Sequence, residues 1–149
     1  MKNYHASCVA FGPIGVLIRG ASGAGKSTLA LQLIDGAGYG FAKTLMRGQL
    51  VADDQVLLHV KTGKLTANPP PALAGLLEIR GLGIMQVKFK KSVTVKLVVD
   101  LVPLKSIERM PEPSCQHTEI EGVSLPRITI AIGNFAAPAI LRAALHNLA

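Results

Sequence analysis

Short apolar runs separated by glycine, proline or paired aspartates make up most of the chain, and they predict strands more often than helices. Residues 16–18 and 50–52 are continuously apolar and are bounded by turn residues, as buried strands are. Residues 5–11 mix small and apolar side chains, and residues 93–102 alternate before becoming continuously apolar, so both segments predict strands. Residues 127–132 predict a last strand.

Further apolar segments come in pairs that predict hairpins. These pairs are residues 56–60 with 65–67, and residues 117–120 with 123–125. Gly63 and Gly122 lie in the turns between the paired segments. Residues 76–79 lead into another glycine turn at residues 81–83.

Helical patterns are confined to two segments. Residues 27–34 follow a glycine-rich loop and end before Gly36, and residues 136–148 place their apolar side chains on one face. Residues 39–48 have no clear period and predict a loop or a short extension, and residues 103–113 predict a surface loop. The pattern therefore predicts an α/β fold of α+β character, with a mixed, hairpin-rich sheet and few helices.

Length and composition limit the number of domains and the cellular compartment that we expect. At 149 residues, the chain has the length of one domain, which we expect to cover residues 1–149, and 49% of its residues are hydrophobic. No apolar stretch is long enough to span a membrane as a helix, and no signal-peptide pattern precedes the first strand. Cys8 and Cys115 lack metal-ligand spacing, so we interpret them as reduced thiols of a cytoplasmic protein.

The formal net charge of +7 favours anionic partners. Lys88, Lys90, Lys91 and Lys96 form a modest basic stretch with Phe89 as its aromatic residue. Such a stretch is more typical of a strand edge guarded by lysines than of a nucleic-acid surface. A nucleotide or an acidic protein explains the charge equally well, and we expect neither a nucleic-acid nor a membrane partner.

A phosphate-binding loop is the strongest chemical signal. The run from Gly20 to Ser27 satisfies G-x-x-x-x-G-K-[ST] between an apolar strand and a helix, which is the context such a loop requires. Gly23 and Gly25 allow successive amides to turn towards an anion. Lys26 is expected to reach the β- and γ-phosphates, and Ser27 to bind Mg²⁺. The candidate nucleotide-binding residues are Gly20, Ala21, Ser22, Gly23, Ala24, Gly25, Lys26, Ser27 and Thr28.

Two acidic positions follow. Asp53 and Asp54 end an apolar strand, and a strand-end aspartate in a P-loop protein commonly contacts Mg²⁺ or orients the nucleophile. Because adjacent strand residues point to opposite faces, only one of the two needs to face the phosphates. Glu78 lies before a glycine turn and is a weak signal on its own.

These motifs together resemble the HPr kinase/phosphorylase family, specifically its C-terminal catalytic domain. The resemblance covers most of the chain, and the run from Leu77 to Ile84 is close to a family signature. The matching segments are His5, the loop from Gly20 to Ser27, Leu50-Val51-Ala52-Asp53-Asp54, Leu77-Glu78-Ile79-Arg80-Gly81-Leu82-Gly83-Ile84, and a fainter Glu108-Arg109-Met110.

The resemblance implies transfer of phosphate from ATP to a serine of HPr, a carrier protein of the sugar phosphotransferase system. It implies that Ser27 and Glu78 bind Mg²⁺, and we place Asp53 among the metal-binding residues as well. It makes Asp54 the base that accepts the seryl proton and the acid that returns it in the reverse reaction. His5 and Arg109 match two further active-site positions. The family's assembly implies a homo-oligomer, with a hexamer expected.

Several features depart from the family pattern. Its N-terminal domain and the end of its C-terminal helical extension have no counterpart in the sequence, and residues 41–47 are an addition of unknown role. The proline-glycine-arginine-asparagine loop used in dephosphorylation is replaced by Ala131-Ile132-Gly133-Asn134-Phe135, which has no arginine. We therefore expect kinase activity more than phosphorylase activity. A small-molecule P-loop kinase and a catalytically silent nucleotide sensor remain as alternatives.

Overall fold

A computed structural model describes residues 1–112 and 116–148 of the chain, so Cys115 lies outside the described residues. In chain order the strands are β1 (Lys2–Tyr4), β2 (Ser7–Phe11), β3 (Ile14–Arg19), β4 (Ala37–Gly38), β5 (Met46–Arg47), β6 (Gln49–Ala52), β7 (Val56–Lys61), β8 (Lys64–Asn68), β9 (Leu76–Ile79), β10 (Gly83–Gln86), β11 (Val93–Val102), β12 (His117–Ile120) and β13 (Val123–Ala131). The helices are α1 (Lys26–Asp35) and α2 (Ala137–Asn147), and short 3-10 turns lie at Pro71–Leu73 and Leu104–Ser106.

A nine-stranded mixed sheet forms the centre of the described chain, in the order β1-β7-β8-β11-β3-β2-β6. The long strand β11 divides the sheet. Its first residues pair with β8, and its last five residues pair in parallel with β13, which also pairs with β12. β3 pairs in parallel with β11 and antiparallel with β2. The predicted mixed, hairpin-rich sheet with few helices is therefore present.

Strand direction determines which loops meet. β2 is antiparallel to both β3 and β6, so β3 and β6 run in the same direction. Their carboxyl ends consequently lie at one edge of the sheet, where β2 begins. That edge brings together the glycine-rich loop after β3, the acidic pair after β6 and the residues just before β2.

Two β-bulges change which side chains face the helices. In β6, Ala52 is opposite Cys8 and Leu50 is opposite Val9, so Val51 is an extra residue. Leu50 packs in the cluster beneath the helices, whereas Val51 and Ala52 both pack in the cluster on the opposite face. Because of this bulge, Asp53 lies on the face of the sheet that α1 covers. A second bulge, at Lys96 of β11, changes the face of that strand in the same way.

Apolar clusters cover both faces of the sheet. The first contains side chains from α1 and α2, including the fully buried Leu33 and Leu141. The second contains the β7–β8 hairpin and part of β12–β13, and it encloses Cys8. The Cys8 thiol is free, and burial raises its pKa to about 12, which agrees with its interpretation as a reduced thiol.

The segment predicted as a loop at residues 39–48 is anchored by two arginines. Its strand β5 pairs with β4, which lies just before the segment, in a two-residue ladder that the sequence pattern does not predict. Arg47 donates to the carbonyls of Ile34 and Asp35, and the buried Arg142 donates to those of Gly36 and Met46. These cations satisfy carbonyl groups at the carboxyl end of α1, where the helix dipole also favours positive charge.

Other differences from the predicted elements are local. The strand predicted at residues 5–11 begins only at Ser7, because His5 and Ala6 form the connection between β1 and β2. The glycine turn at residues 81–83 opens a further strand, β10, whose residues are all exposed. An exposed strand lacks the burial pattern from which its periodicity could be recognised.

Asp100 joins the three parallel strands. Arg19 of β3 donates to both of its carboxylate oxygens, at 2.7 and 2.9 Å, and Arg127 of β13 donates at 2.5 Å. Burial alone would raise the pKa of Asp100, but the hydrogen bonds and charges of the two arginines outweigh burial and lower it from the ordinary 3.8. An ionised Asp100 therefore stabilises the folded state.

Asp100→Asn should lower the free energy of unfolding by about 1–3 kcal/mol at neutral pH, since charge-assisted hydrogen bonds are lost. Because the pKa is lower in the folded state than in the unfolded state, this contribution is complete above about pH 5 and is lost as the pH falls through the folded value. Urea unfolding of both proteins from pH 7 to pH 3 measures it, with the exposed Glu119→Gln as control. A difference independent of pH would contradict this account.

Candidate active site

The glycine-rich loop has the geometry of an anion-binding site. Gly23 and Gly25 have φ angles of 82° and 101°, which side chains disfavour, and a Cβ at either position would meet no atom within 4 Å. Gly25 is the N-cap of α1, and no side chain caps that end of the helix. The amides of the first helical turn therefore remain available to a phosphate group.

Lys26 is the first residue of α1 and only 5% exposed. Its Nζ donates to the carbonyl oxygens of Gly20 and Ala21, at 3.0 and 3.2 Å. The ammonium group thus lies inside the loop that would enclose the phosphates. Buried cations are costly without partners, so an anion in this loop would be strongly favoured.

Asp53 is the acidic residue that faces α1. It is 9% exposed, and its Oδ1 accepts hydrogen bonds from Ser27 Oγ at 2.7 Å and Ser7 Oγ at 2.9 Å. Its Oδ2 accepts one from the backbone amide of Glu78 at 3.2 Å. The predicted metal-side residues Ser27, Asp53 and Glu78 are therefore brought together.

Oxygen ligands at this position fit a magnesium ion. Within residues 1–112 and 116–148, no group of three or more His, Cys, Asp or Glu side chains is arranged to hold a metal. Mg²⁺ commonly needs only one or two protein oxygens, because phosphate oxygens and water complete its octahedron. Ser27 can offer an oxygen lone pair to the ion while its hydroxyl hydrogen is donated to Asp53 Oδ1. The Glu78 side chain is exposed, and its contact with Asp53 is made by the backbone amide.

Asp54 faces away from this group and towards His5. The Asp54 φ angle is 65°, and the Gln55 amide donates to the Asp53 carbonyl at 2.7 Å, so Asp54 is the central residue of a strained three-residue turn. His5 Nε2 lies 2.7 Å from Asp54 Oδ1. The two side chains remain 48% and 57% exposed, so the carboxylate is open to an incoming substrate.

Arg109 is not brought to this group. It lies in the exposed segment after β11 and makes no hydrogen bond or ion pair with any other described residue. The loop that lacks the family's arginine follows β13 and leads to α2. In this loop, Asn134 Oδ1 accepts a hydrogen bond from the Ala136 amide at 2.9 Å. The role that the resemblance gives to Arg109 therefore stays a prediction.

Ser7 also belongs to this group, although no sequence motif identifies it. Its hydroxyl contacts Asp53, but a single serine in a short apolar strand carries no motif. Only the pairing of β2 with β6 shows that the start of one strand meets the end of the other.

Two clefts of the described chain lie elsewhere. One of about 750 Å³ is lined by β13, α2 and the segment after β11, and another of about 350 Å³ by the β5 region and the end of α2. Neither is lined by a candidate phosphate, metal or base residue.

Known proteins resemble this chain in sequence and in fold. The family model of the HPr Serine kinase C-terminal domain matches residues 1–148. The chain belongs to this family. Relatives include the HPr kinase/phosphorylases of Burkholderia cenocepacia and Paraburkholderia phymatum, each 35% identical over 129 residues. The match covers 80% of this chain and 37% of each relative, so the chain spans little more than a third of their length.

A solved structure confirms the fold class. The HPr(Ser) kinase/phosphatase from Coxiella burnetii has a TM-score of 0.79 and 26% sequence identity to this chain, and the match covers 99% of this chain and 90% of that one. The predicted family resemblance is likewise confirmed. Among the described residues, neither α1 nor α2 is long and apolar enough to cross a membrane.

Proposed function

We propose that this chain is the catalytic domain of an ATP-dependent protein-serine kinase that phosphorylates HPr or a related phosphocarrier protein. The observation that carries the proposal is the half-exposed Asp54 carboxylate, oriented by His5 and adjacent in sequence to Asp53, which binds the phosphate-loop serine. A phosphate site and an accessible base thus lie side by side. Family membership supplies the substrate class.

ATP would bind with its triphosphate on the glycine-rich loop. The amides of residues 20–28 and the ammonium group of Lys26 would hold the β- and γ-phosphates. Mg²⁺ would lie beside Ser27, Asp53 and Glu78, where it would neutralise charge on the phosphate oxygens. These residues hold the reacting phosphorus in place while the loop's dipoles stabilise the charge that develops on it.

The transfer step needs one proton acceptor. The seryl oxygen of the carrier forms a bond to the γ-phosphorus as the bond from that phosphorus to the β–γ bridging oxygen breaks. Asp54 takes the seryl proton, and ADP leaves. His5 donates its Nε2 hydrogen to Asp54 Oδ1, which leaves Oδ2 for the incoming hydroxyl.

The charge of the chain suits a protein partner with an acidic surface. Its formal net charge is +7, and positive charge accelerates the encounter with anionic partners. We further propose a cytoplasmic homo-oligomer, a hexamer as in the family, without nucleic-acid or membrane partners. Arg109, which is exposed, would contact the carrier.

A catalytically silent nucleotide sensor is the competing function, and the position of Arg109 favours it. Incubation of the protein with labelled ATP, Mg²⁺ and a panel of HPr-type carriers, followed by mapping of phosphoserine, separates the protein kinase from both alternatives. The kinase proposal requires phosphoserine on one carrier. A sensor binds ATP without transfer, and a small-molecule kinase leaves every carrier unlabelled.

Asp54→Asn should lower turnover by roughly two to four powers of ten, because asparagine keeps the shape but cannot accept the proton. ATP affinity should change little. Initial rates of carrier phosphorylation measured across a Mg²⁺ titration test this expectation.

Asp53→Asn provides the comparison, since Asp53 supports the metal side of the site. Its loss of rate should shrink as Mg²⁺ is raised, whereas that of Asp54→Asn should not. Asp35→Asn, an exposed carboxylate at the end of α1, serves as control. If Asp53→Asn is the more impaired at saturating Mg²⁺, the roles of the two carboxylates are reversed.

Phosphorolysis should be weak. A phosphorylated carrier with excess inorganic phosphate should release little pyrophosphate, because residues 131–135 provide no arginine for the attacking phosphate. Pyrophosphate release can be compared with the forward rate under the same conditions. Reverse turnover equal to forward turnover would show that another residue replaces the family's arginine.

A further inference from the structure

We infer that Ser7 is a positioning residue that fixes both carboxylates of the acidic pair through a single hydroxyl. Its effect on catalysis rests on the proposed kinase function, but its effect on the geometry of the pair does not. Ser7 is fully buried at the start of β2, on the α1 side of the sheet. It has no exposed surface on which to act as a nucleophile or a phosphate acceptor.

The Ser7 hydroxyl makes two hydrogen bonds of opposite kinds. It donates to Asp53 Oδ1 at 2.9 Å and accepts from the Asp54 backbone amide at 3.1 Å. The donor bond holds the buried Asp53 carboxylate in place. The acceptor bond fixes the peptide group that carries Asp54. One side chain therefore couples the metal side of the site to its base.

Backbone strain explains why the Asp54 amide needs a partner. Asp54 has a φ angle of 65°, a conformation that costs of order 1–3 kcal/mol for a residue with a side chain. Such a conformation persists only where surrounding contacts hold it. The Gln55 amide holds one side of the turn through the Asp53 carbonyl, and Ser7 holds the other.

The bulge at Val51 makes this contact possible. Without the bulge, regular alternation from Leu50 through Val51 would place Asp53 on the side away from α1 and Asp54 on the α1 side. With it, Asp53 lies on the same side of the sheet as Ser7 and Ser27. The bulge and Ser7 therefore act together to give each carboxylate its own direction.

Ser27 cannot take over this task. Its hydroxyl also contacts Asp53 Oδ1, but it belongs to the phosphate loop and would bind a metal ion. Ser7 belongs to a central strand paired on both sides, so its position does not depend on nucleotide. It holds Asp53 and Asp54 in the same arrangement before and after ATP binds.

Ser7→Ala and Ser7→Cys test the inference together. Cysteine nearly preserves the volume of serine but is a poor hydrogen-bonding group, so it retains packing while weakening both bonds. Cys8→Ala is the matched control, since it changes a neighbouring buried residue on the opposite face. Should Ser7→Ala fail to fold, Ser7→Cys carries the test.

Both Ser7 variants should lower kcat about ten- to a hundredfold relative to Cys8→Ala, the loss expected for hydrogen bonds to a charged group. The KM for ATP should change by less than about threefold, because the phosphate loop is intact. Amide hydrogen exchange at Asp54, measured by NMR without nucleotide, should accelerate at least about tenfold.

Unchanged Asp54 exchange in the Ser7 variants would overturn the inference, as would a Ser7→Cys enzyme with the parent's kcat, which would show that packing alone matters. If the parent protein phosphorylates no carrier, the kinase proposal fails by itself. Asp54 exchange then still decides the role of Ser7, because that measurement requires neither ATP nor a carrier.

Discussion

The Asp53 carboxylate is almost fully removed from water, and an ion in such a place is tolerated only when hydrogen bonds replace its hydration. Three parts of the molecule supply them: Ser7 at the start of β2, Ser27 in the first turn of α1, and the Glu78 amide in β9. The central sheet, the phosphate-loop helix and the β9–β10 hairpin therefore meet at one charge. Loss of that charge would loosen all three contacts at once.

Conformational strain next to Asp53 has a chemical consequence. The turn at Asp54 points the second carboxylate outward to His5, while the bulge at Val51 points the first inward to Ser27. Two adjacent acids thus have different surroundings, one buried and saturated with donors, the other half-exposed. An exposed carboxylate can accept a proton from a protein substrate, whereas a saturated one is suited to holding a metal-binding serine.

Local signals identified much of this arrangement from the sequence. The phosphate loop was recognisable because its glycines, lysine and serine have fixed spacing, and Asp53-Asp54 because it ends an apolar run. The direction of each acid could not be predicted, since it depends on a bulge that exists only relative to the partner strand β2. Ser7 was missed for the same reason, as its role arises from strand pairing and not from its neighbours in sequence. β1 and β10 were missed because exposed strands lack a hydrophobic pattern.

A crystal structure with Mg²⁺ and a non-hydrolysable ATP analogue tests the central role of Asp53 most directly. The account predicts the triphosphate on the amides of residues 23–27, with the ion at about 2.1 Å from Ser27 Oγ. Asp53 should keep its hydrogen bonds to Ser7 and the Glu78 amide. A triphosphate bound elsewhere, or an Asp53 carboxylate turned away from Ser7 in the complex, would contradict it.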